Sequence, residues 1–398
     1  MTTPAPSSAG RIAELDALRG LAVIGIVWMN VYVFALPAQA YYNPVAYGGE
    51  SSLDRLVWAA SFVFVEDKFR TLFAMMFGAG CIILLEKGGG RPWRAHFARM
   101  AVLFAIGLVH ATLLASNDIL RAYAIAGCAL PFLAQLPVRA LVAVAVGLVA
   151  VHVGGGIVVF GSGFYDWAQG RSWTEMALLI ERDFGSDARA IGFALEQGRE
   201  SFAERVSRRL DGMPSQLATI VGSVPINLAA MALGMALWKD RMLAGEWRTF
   251  RLQRLAAVCA VLSIPPLLWL AQWTAQEGFP GPLVGPVALG FSAPFDTALG
   301  LAYAALAMAL FDARGAVTRR LAAVGRLSLT NYLMTSAMLG AIFASWGLGL
   351  FAQVSRAQAF ALGFVPIATM LLWSPLWVAR LGQGPFERLW RGSARLLG

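Results

Sequence analysis

The apolar residues of this chain fall into blocks of about 20, and that grouping constrains the fold more than any other feature. Ten such blocks run at about 17–37, 69–86, 97–115, 118–135, 138–160, 215–237, 255–273, 291–311, 327–346 and 358–378. At 1.5 Å per residue, a helix of 20 residues is about 30 Å long, the thickness of a bilayer's hydrocarbon core. In hydrocarbon every backbone N–H and C=O must be paired within the protein, so blocks of this length fold as helices. Composition agrees: 58% of the 398 residues are hydrophobic and 14% charged, against roughly 25% charged in soluble domains. The expected fold is all-α, a polytopic integral membrane bundle of about ten transmembrane helices.

The placement of charge sets the orientation. With the N-terminus inside, 20 of the 32 Lys and Arg residues fall on one side, from Arg11 and Arg19 to Arg391 and Arg395. The opposing short loops (38–53, 116–117, 274–290 and 347–357) hold only Arg356. Because basic loops stay in the cytoplasm, both termini are expected there. Residues 1–10, rich in Pro, Ser and Ala, read as a disordered lead and not as a signal peptide. Residues 11–160 then form an N-terminal bundle of about five spans that holds the candidate site. Residues 161–214, which mix seven Arg with nine acids, form an extracytoplasmic helical region. Residues 215–398 form a C-terminal bundle of about five spans. Leu53–Phe64 reads either as an interfacial helix or as the outer part of one long second helix.

The net charge of +9 follows from this topology and points to no nucleic-acid partner. Three cysteines with no CxxC pattern indicate neither a disulfide framework nor a zinc site. Nothing in the sequence marks a metal or a tightly bound cofactor.

Charged and polar residues inside apolar blocks are few, and each is a functional candidate by default. Asp16 and Arg19, three apart, share a helical face at the membrane edge, and Asn30 follows three turns later on about the same face. A salt bridge with a helix–helix hydrogen bond explains them as readily as a site does. Glu66-Asp67-Lys68 reads as a solvated interfacial run, while Arg70 lies against the apolar block, where a guanidinium can hold a phosphate or carboxylate. His110 sits a little over a turn from the end of the third span, and Asp118 heads the fourth, with Tyr123 beyond. One reading is a helix cap at Asn117 or Ser116, with Asp118 favoured in the helix's first turn, beside a satisfied histidine. The other is a histidine base oriented by a carboxylate, acting on a hydroxyl or amine. Asp296, Asn331 and Tyr332 complete the set, as substrate contacts or as packing polar residues.

Several of these residues lie in longer patterns. The opening Arg11-Ile-x-x-Leu-Asp16-x-Leu-Arg19-Gly20-x-Ala-x-x-Gly-Ile-x-x-Met-Asn30 resembles the start of the DUF418 family of bacterial membrane proteins. So do Lys68-Phe69-Arg70-x-Leu-Phe, His110 with Asp118-Ile-Leu-x-x-Tyr123, Gly325-Arg326-x-Ser-Leu-Thr-Asn331-Tyr332 and Gly384-Pro385-x-Glu387. The resemblance runs from about residue 11 to 392 and implies a multi-pass protein of the bacterial inner membrane. The front half is also similar to a wider group of membrane acyltransferases, of the heparan-glucosaminide N-acetyltransferase and surface-polysaccharide types. That likeness implies a membrane-embedded catalytic histidine, here His110, and transfer of an acyl group from a cytoplasmic thioester such as acyl-CoA.

The leading expectation is therefore an acyltransferase. His110 and Asp118 deprotonate a hydroxyl or amine of a small-molecule, glycan or lipid acceptor, and Arg19 or Arg70 neutralises the donor. Asp16, Asn30, Tyr123, Asn331 and Tyr332 contact substrate or hold the helices. A transporter of a small anionic metabolite and a non-catalytic envelope protein are the alternatives. Membrane lipids are the general partner, and homo-oligomerisation is left open.

Overall fold

The computed structural model describes residues 13–87 and 92–397. The N-terminal lead at residues 1–10, Arg11, Arg91 and residues 88–90 lie outside the described residues. The elements of the described residues are helices: α1 Ala13–Ala35, α2 Ser52–Phe64, α3 Lys68–Lys87, α4 Pro92–Leu113, α5 Ile119–Gly127, α6 Leu130–Leu133, α7 Val138–Ala168, α8 Glu175–Phe184, α9 Ala188–Gly198 and α10 Phe202–Asp211. These are followed by α11 Met213–Lys239, α12 Thr249–Gln276, α13 Gly281–Pro286, α14 Ala293–Leu310, α15 Ala316–Arg326, α16 Ser328–Phe343, α17 Arg356–Leu362, α18 Phe364–Leu381 and α19 Pro385–Leu397. Among the described residues, eight helical stretches are long and apolar enough to cross a membrane. α2 with α3 make one of them (Ser52–Glu86), and α17 with α18 another (Arg356–Leu381).

Two of the ten apolar blocks fall short of that length. The block at 118–135 breaks into α5 and α6 around Cys128 and Ala129, just ahead of Pro131. The block at 327–346 gives the 16-residue α16. The Leu53–Phe64 segment becomes α2, separated from α3 by a turn in which Asp67 has φ +59°. Asp is among the few residues other than Gly that tolerate this left-handed conformation.

α3 lies at the centre, against α1, α4, α11 and α14. Small residues set the tightest crossings. A Cβ on Gly20 would meet the Leu321 carbonyl, and one on Gly325 would meet the Asp16 carbonyl, so α1 and α15 touch backbone to backbone. Gly78 and Gly234 do the same between α3 and α11, against Met231 and Met75. Such close approach is how helices associate where lipid offers no hydrophobic driving force. α7, by contrast, buries little of its surface and presents an apolar exterior.

The connecting segments gather on two faces. On one, Gln39 donates to Arg182 O at 3.1 Å, Asn43 to Phe184 O and Phe279 O, Ser345 to Glu200 O, and Tyr47 to Ala352 O at 2.8 Å. Here the 161–214 region is helical, and α8 packs on α13. On the other face Lys239 donates to Ala134 O and Leu136 O, and Trp390 of α19 to Arg99 O.

Candidate functional site

The α4–α5 connection builds the first polar centre. α4 ends at Leu113, and the Arg209 guanidinium of α10 donates to Leu114 O at 2.9 Å and Thr112 O at 3.3 Å. Cationic donors of this kind complement exposed carbonyls at a helix C-terminus. Burial and the neighbouring Arg205 push the Arg209 guanidinium down to about 10. The chain turns through Ser116 and Asn117, and Asp118 itself caps α5, its Oδ2 accepting from Arg121 N at 2.9 Å.

The other carboxylate oxygen serves a second purpose. Asp118 Oδ1 lies 2.8 Å from Nδ1 of His110, one α4 turn before the connection. A carboxylate only accepts, so Nδ1 carries a proton, and in the neutral form of the ring Nε2 is a lone pair. Nε2 is buried and has no hydrogen-bond partner. Tyr332 of α16 closes the group: its ring stands 5.1 Å from the imidazole, and its hydroxyl accepts from Ile119 N at 3.4 Å and approaches Asp118 Oδ1 at 3.5 Å. Arg121, 1% exposed, donates to Ser116 O and Gln216 Oε1 and holds Nε 3.6 Å from Asp118 Oδ2. Gly107 leaves room, since a Cβ there would stand 2.6 Å from Asp118 Oδ2. Asp118, and not the expected Asn117 or Ser116, is thus the cap of α5 through Oδ2, and it is the histidine partner through Oδ1. A base with its tautomer fixed and one nitrogen free is an arrangement suited to taking a proton from a hydroxyl, thiol or amine.

The remaining sequence candidates separate into other clusters. Tyr123 turns away from His110 and donates to Arg70 O at 3.0 Å, stacking by Phe73 and Phe77. Arg70 binds Asp67 at 2.7 Å and Asn227 Oδ1 at 2.7 Å, and Asn227 in turn donates to Ser223 O. Arg19 pairs with Asp16 at 3.2 Å, and Asp16 also meets Arg326 at 3.3 Å, tying α1 to α15 at the opposite face. Arg19 neighbours Gly80, so along α3 it stands about 15 Å from Arg70, and the two do not converge on one small group. Asn30 is half-buried on α1, about 16 Å along the axis from Arg19. Asn331, fully buried, donates to Val324 O and Ser374 Oγ and accepts from Trp373, a cross-link between α16 and α18.

The Glu66 to Arg70 run is not the solvated interface expected. Lys68 is 1% exposed and pairs with Asp296 at 2.6 Å, and it also donates to Phe62 O. The reason is a pair of helix breaks that meet inside the bundle, one between α2 and α3, the other a π-turn at Val287–Phe291 just before α14. The signal for it was present: a charged run with an Asp inside a 35-residue apolar stretch is too long for one straight crossing. Asn227 carried no such mark. Glu387 of α19 likewise carries no local mark of its role. It is buried, and it caps α16 by accepting from Leu329 N at 2.8 Å, Thr330 N at 3.1 Å and Thr330 Oγ1 at 2.5 Å.

Comparison with known proteins places these features in a family. A family model described as "Protein of unknown function (DUF418)" matches residues 237–396. Over 390 residues the chain is 31% identical to "Uncharacterized protein YeiB" of Escherichia coli (strain K12), covering 96% of this chain and 95% of that protein. It is 28% identical over 411 residues to "Uncharacterized protein YxaH" of Bacillus subtilis (strain 168), covering 97% and 94%. No solved structure matches. A bundle of apolar helices, matched end to end by bacterial relatives, is a polytopic bacterial membrane protein consistent with the inner membrane, and the chain belongs to the YeiB-like DUF418 family.

Proposed function

We propose that the protein is a membrane-embedded acyltransferase, with His110 as the base that deprotonates a hydroxyl or amine acceptor and Asp118 as its positioning residue. The observation that carries this reading is the 2.8 Å Nδ1–Oδ1 contact with Nε2 left buried and unpartnered. An oriented base of this type contributes about 10²–10⁴-fold to a proton-transfer step. Tyr332, Arg121 and the Arg121 amide in the first turn of α5 hold the carboxylate in place.

The topology belongs to the proposal. Both termini are cytoplasmic, and α5 with α6, and α16, complete ten crossings alongside the eight longer stretches. His110 then faces the extracytoplasmic half, and the Asp16–Arg19–Arg326 cluster the cytoplasmic edge. A donor that enters from the cytoplasm must be extended to bring its acyl end to His110, and acyl-CoA has that shape. The test is purification in detergent, followed by measurement of labelled acyl-CoA binding and thioester loss. Binding with turnover in wild type supports the reading, and neither binding nor turnover overturns it.

One observation favours a second reading, transport of a small anionic metabolite. The charges gather where helices break, at Asp67, Lys68 and Asp296, as they do in transporters that bind substrate at discontinuous helices. Flux of substrate in proteoliposomes without thioester chemistry is the outcome that selects it.

A further inference from the structure

The C-terminal helix α19 presents three faces, each built at helical spacing. Glu387, Trp390 and Ala394, at i, i+3 and i+7, form the inner one. Glu387 caps α16, Trp390 donates to Arg99 O of α4 at 2.9 Å, and Ala394 packs with Ala98 and Val102 of α4. Arg388, Arg391 and Arg395, at the same spacing, form a second face, which is exposed and basic. Leu389 and Leu396, at i and i+7, form a third that is apolar yet open, 52% and 89% exposed. Glu387 is the only acid on α19 and it is buried, so the exposed faces present cations and no acidic side chain.

Connectivity fixes where these faces lie. The membrane-length stretch Arg356–Leu381 ends just before α19 begins at Pro385, and a connector of about three residues reaches at most roughly 11 Å. The bond from Trp390 to Arg99 sets α19 beside the first turns of α4, whose membrane-length stretch begins at Trp93. Trp93 and Phe97 are themselves exposed at this end, as aromatic residues are where membrane meets water. α19 is thus held at the edge of the bilayer, with Leu389 and Leu396 open to what lies there.

A basic helix with an open apolar edge, held at that depth, matches one kind of partner. We infer that α19 binds anionic phospholipid: Leu389 and Leu396 enter the boundary between headgroups and acyl chains, and Arg388, Arg391 and Arg395 receive lipid phosphates. Each arginine near an anionic leaflet strengthens binding about fivefold, and the buried apolar edge adds to the hold of such helices on the interface. A second copy is opposed by charge, since a two-fold contact on this face sets arginine against arginine. The same helix ties α4 to α16, the helices that carry His110 and Tyr332. Lipid seated on α19 therefore stiffens the junction between them.

The test uses the full chain in nonionic-detergent micelles holding equal phosphatidylglycerol and phosphatidylcholine, read by native mass spectrometry and thermal unfolding. Wild type should retain phosphatidylglycerol over phosphatidylcholine at least fivefold, and phosphatidylglycerol should raise the melting temperature further than phosphatidylcholine does. Arg388→Gln/Arg391→Gln/Arg395→Gln should lose both effects, whereas the three Lys replacements, which keep the charge, should retain most of each. Arg388 also donates to Leu381 O; Arg391→Gln/Arg395→Gln keeps that bond, should still lose most of the preference, and serves if the triple variant fails to fold. Leu389→Ser/Leu396→Ser should lower phosphatidylglycerol retention severalfold. Arg171→Gln/Arg189→Gln/Arg199→Gln, which removes equal charge from the opposite face, should change neither readout. The proposal is overturned if wild type retains the two lipids equally, if the preference survives in the α19 arginine variants, or if the opposite-face variant loses as much. It is also overturned if millimolar sn-glycerol 3-phosphate gives the same thermal gain, which is a free-anion site, or if a dimer formed through α19 displaces the lipid.

Discussion

Lys68 Nζ stands 2.6 Å from Asp296 Oδ1, with both side chains almost wholly withdrawn from solvent. The pair joins two helix breaks inside the bundle, and its members come from segments more than 200 residues apart in sequence. Breaking a buried pair by removing one partner leaves an uncompensated charge and typically costs about 3–5 kcal/mol. Lys68→Met and Asp296→Asn should each destabilise by that order. The double variant Lys68→Met/Asp296→Leu should recover most of the loss, as read by thermal unfolding in detergent. Additive losses in the double variant would show that the two residues do not act as a unit.

Glu387 caps α16 from another helix, with both carboxylate oxygens engaged. Hydrogen bonds to a charged acceptor are worth about 1.5–3 kcal/mol each, more when a buried donor is left unpaired. Glu387→Ala should destabilise the protein and raise amide exchange at Leu329 and Thr330. Exchange unchanged at those two amides would contradict the capping role.

Gly20 and Gly325 permit backbone contact between α1 and α15, whereas a Cβ at Gly80 would meet nothing closer than Arg19 Nη2 at 3.7 Å. Overpacking a close crossing costs roughly 1–3 kcal/mol. Gly20→Val and Gly325→Val should lower the melting temperature, and Gly80→Ala should leave it nearly unchanged. Equal effects at all three positions would remove the distinction.

Tyr41 and Tyr42 lie in the turn after α1, where burial holds both phenols well above the usual tyrosine range. In the unfolded chain each ionises near its ordinary value, about 10. Above that pH the folded state therefore binds more protons than the unfolded one, and stability falls as pH rises. Alkaline unfolding should begin near pH 10, and Tyr41→Phe should lessen its steepness. A melting temperature flat from pH 9 to 11 would contradict this.

What the sequence made legible follows from range. Apolar block length marked the eight long helical stretches, because a span is a local property. Asp16 with Arg19 was legible through i,i+3 spacing, and it is realised as an ion pair. The approach of His110 to Asp118 was visible because one short hairpin separates them. Tyr332 was marked as polar, yet its place beside His110 depends on packing between helices more than 200 residues apart, which no local pattern encodes. Asn227 on Arg70 and Glu387 on Thr330, 157 and 57 residues apart, likewise depend on packing between helices. The Glu66 to Lys68 run misled for a different reason. A charged run next to an apolar block looks like a membrane edge, and only the meeting of two helix breaks turns it inward.

The central claim is that His110, oriented by Asp118, performs the chemistry. Its most direct test is single-turnover loss of a labelled acyl-CoA thioester, at donor concentrations that saturate binding, for wild type and His110→Ala. The account predicts intact donor binding and a rate at least about 10²-fold lower in the variant. Equal rates in the two proteins would contradict it.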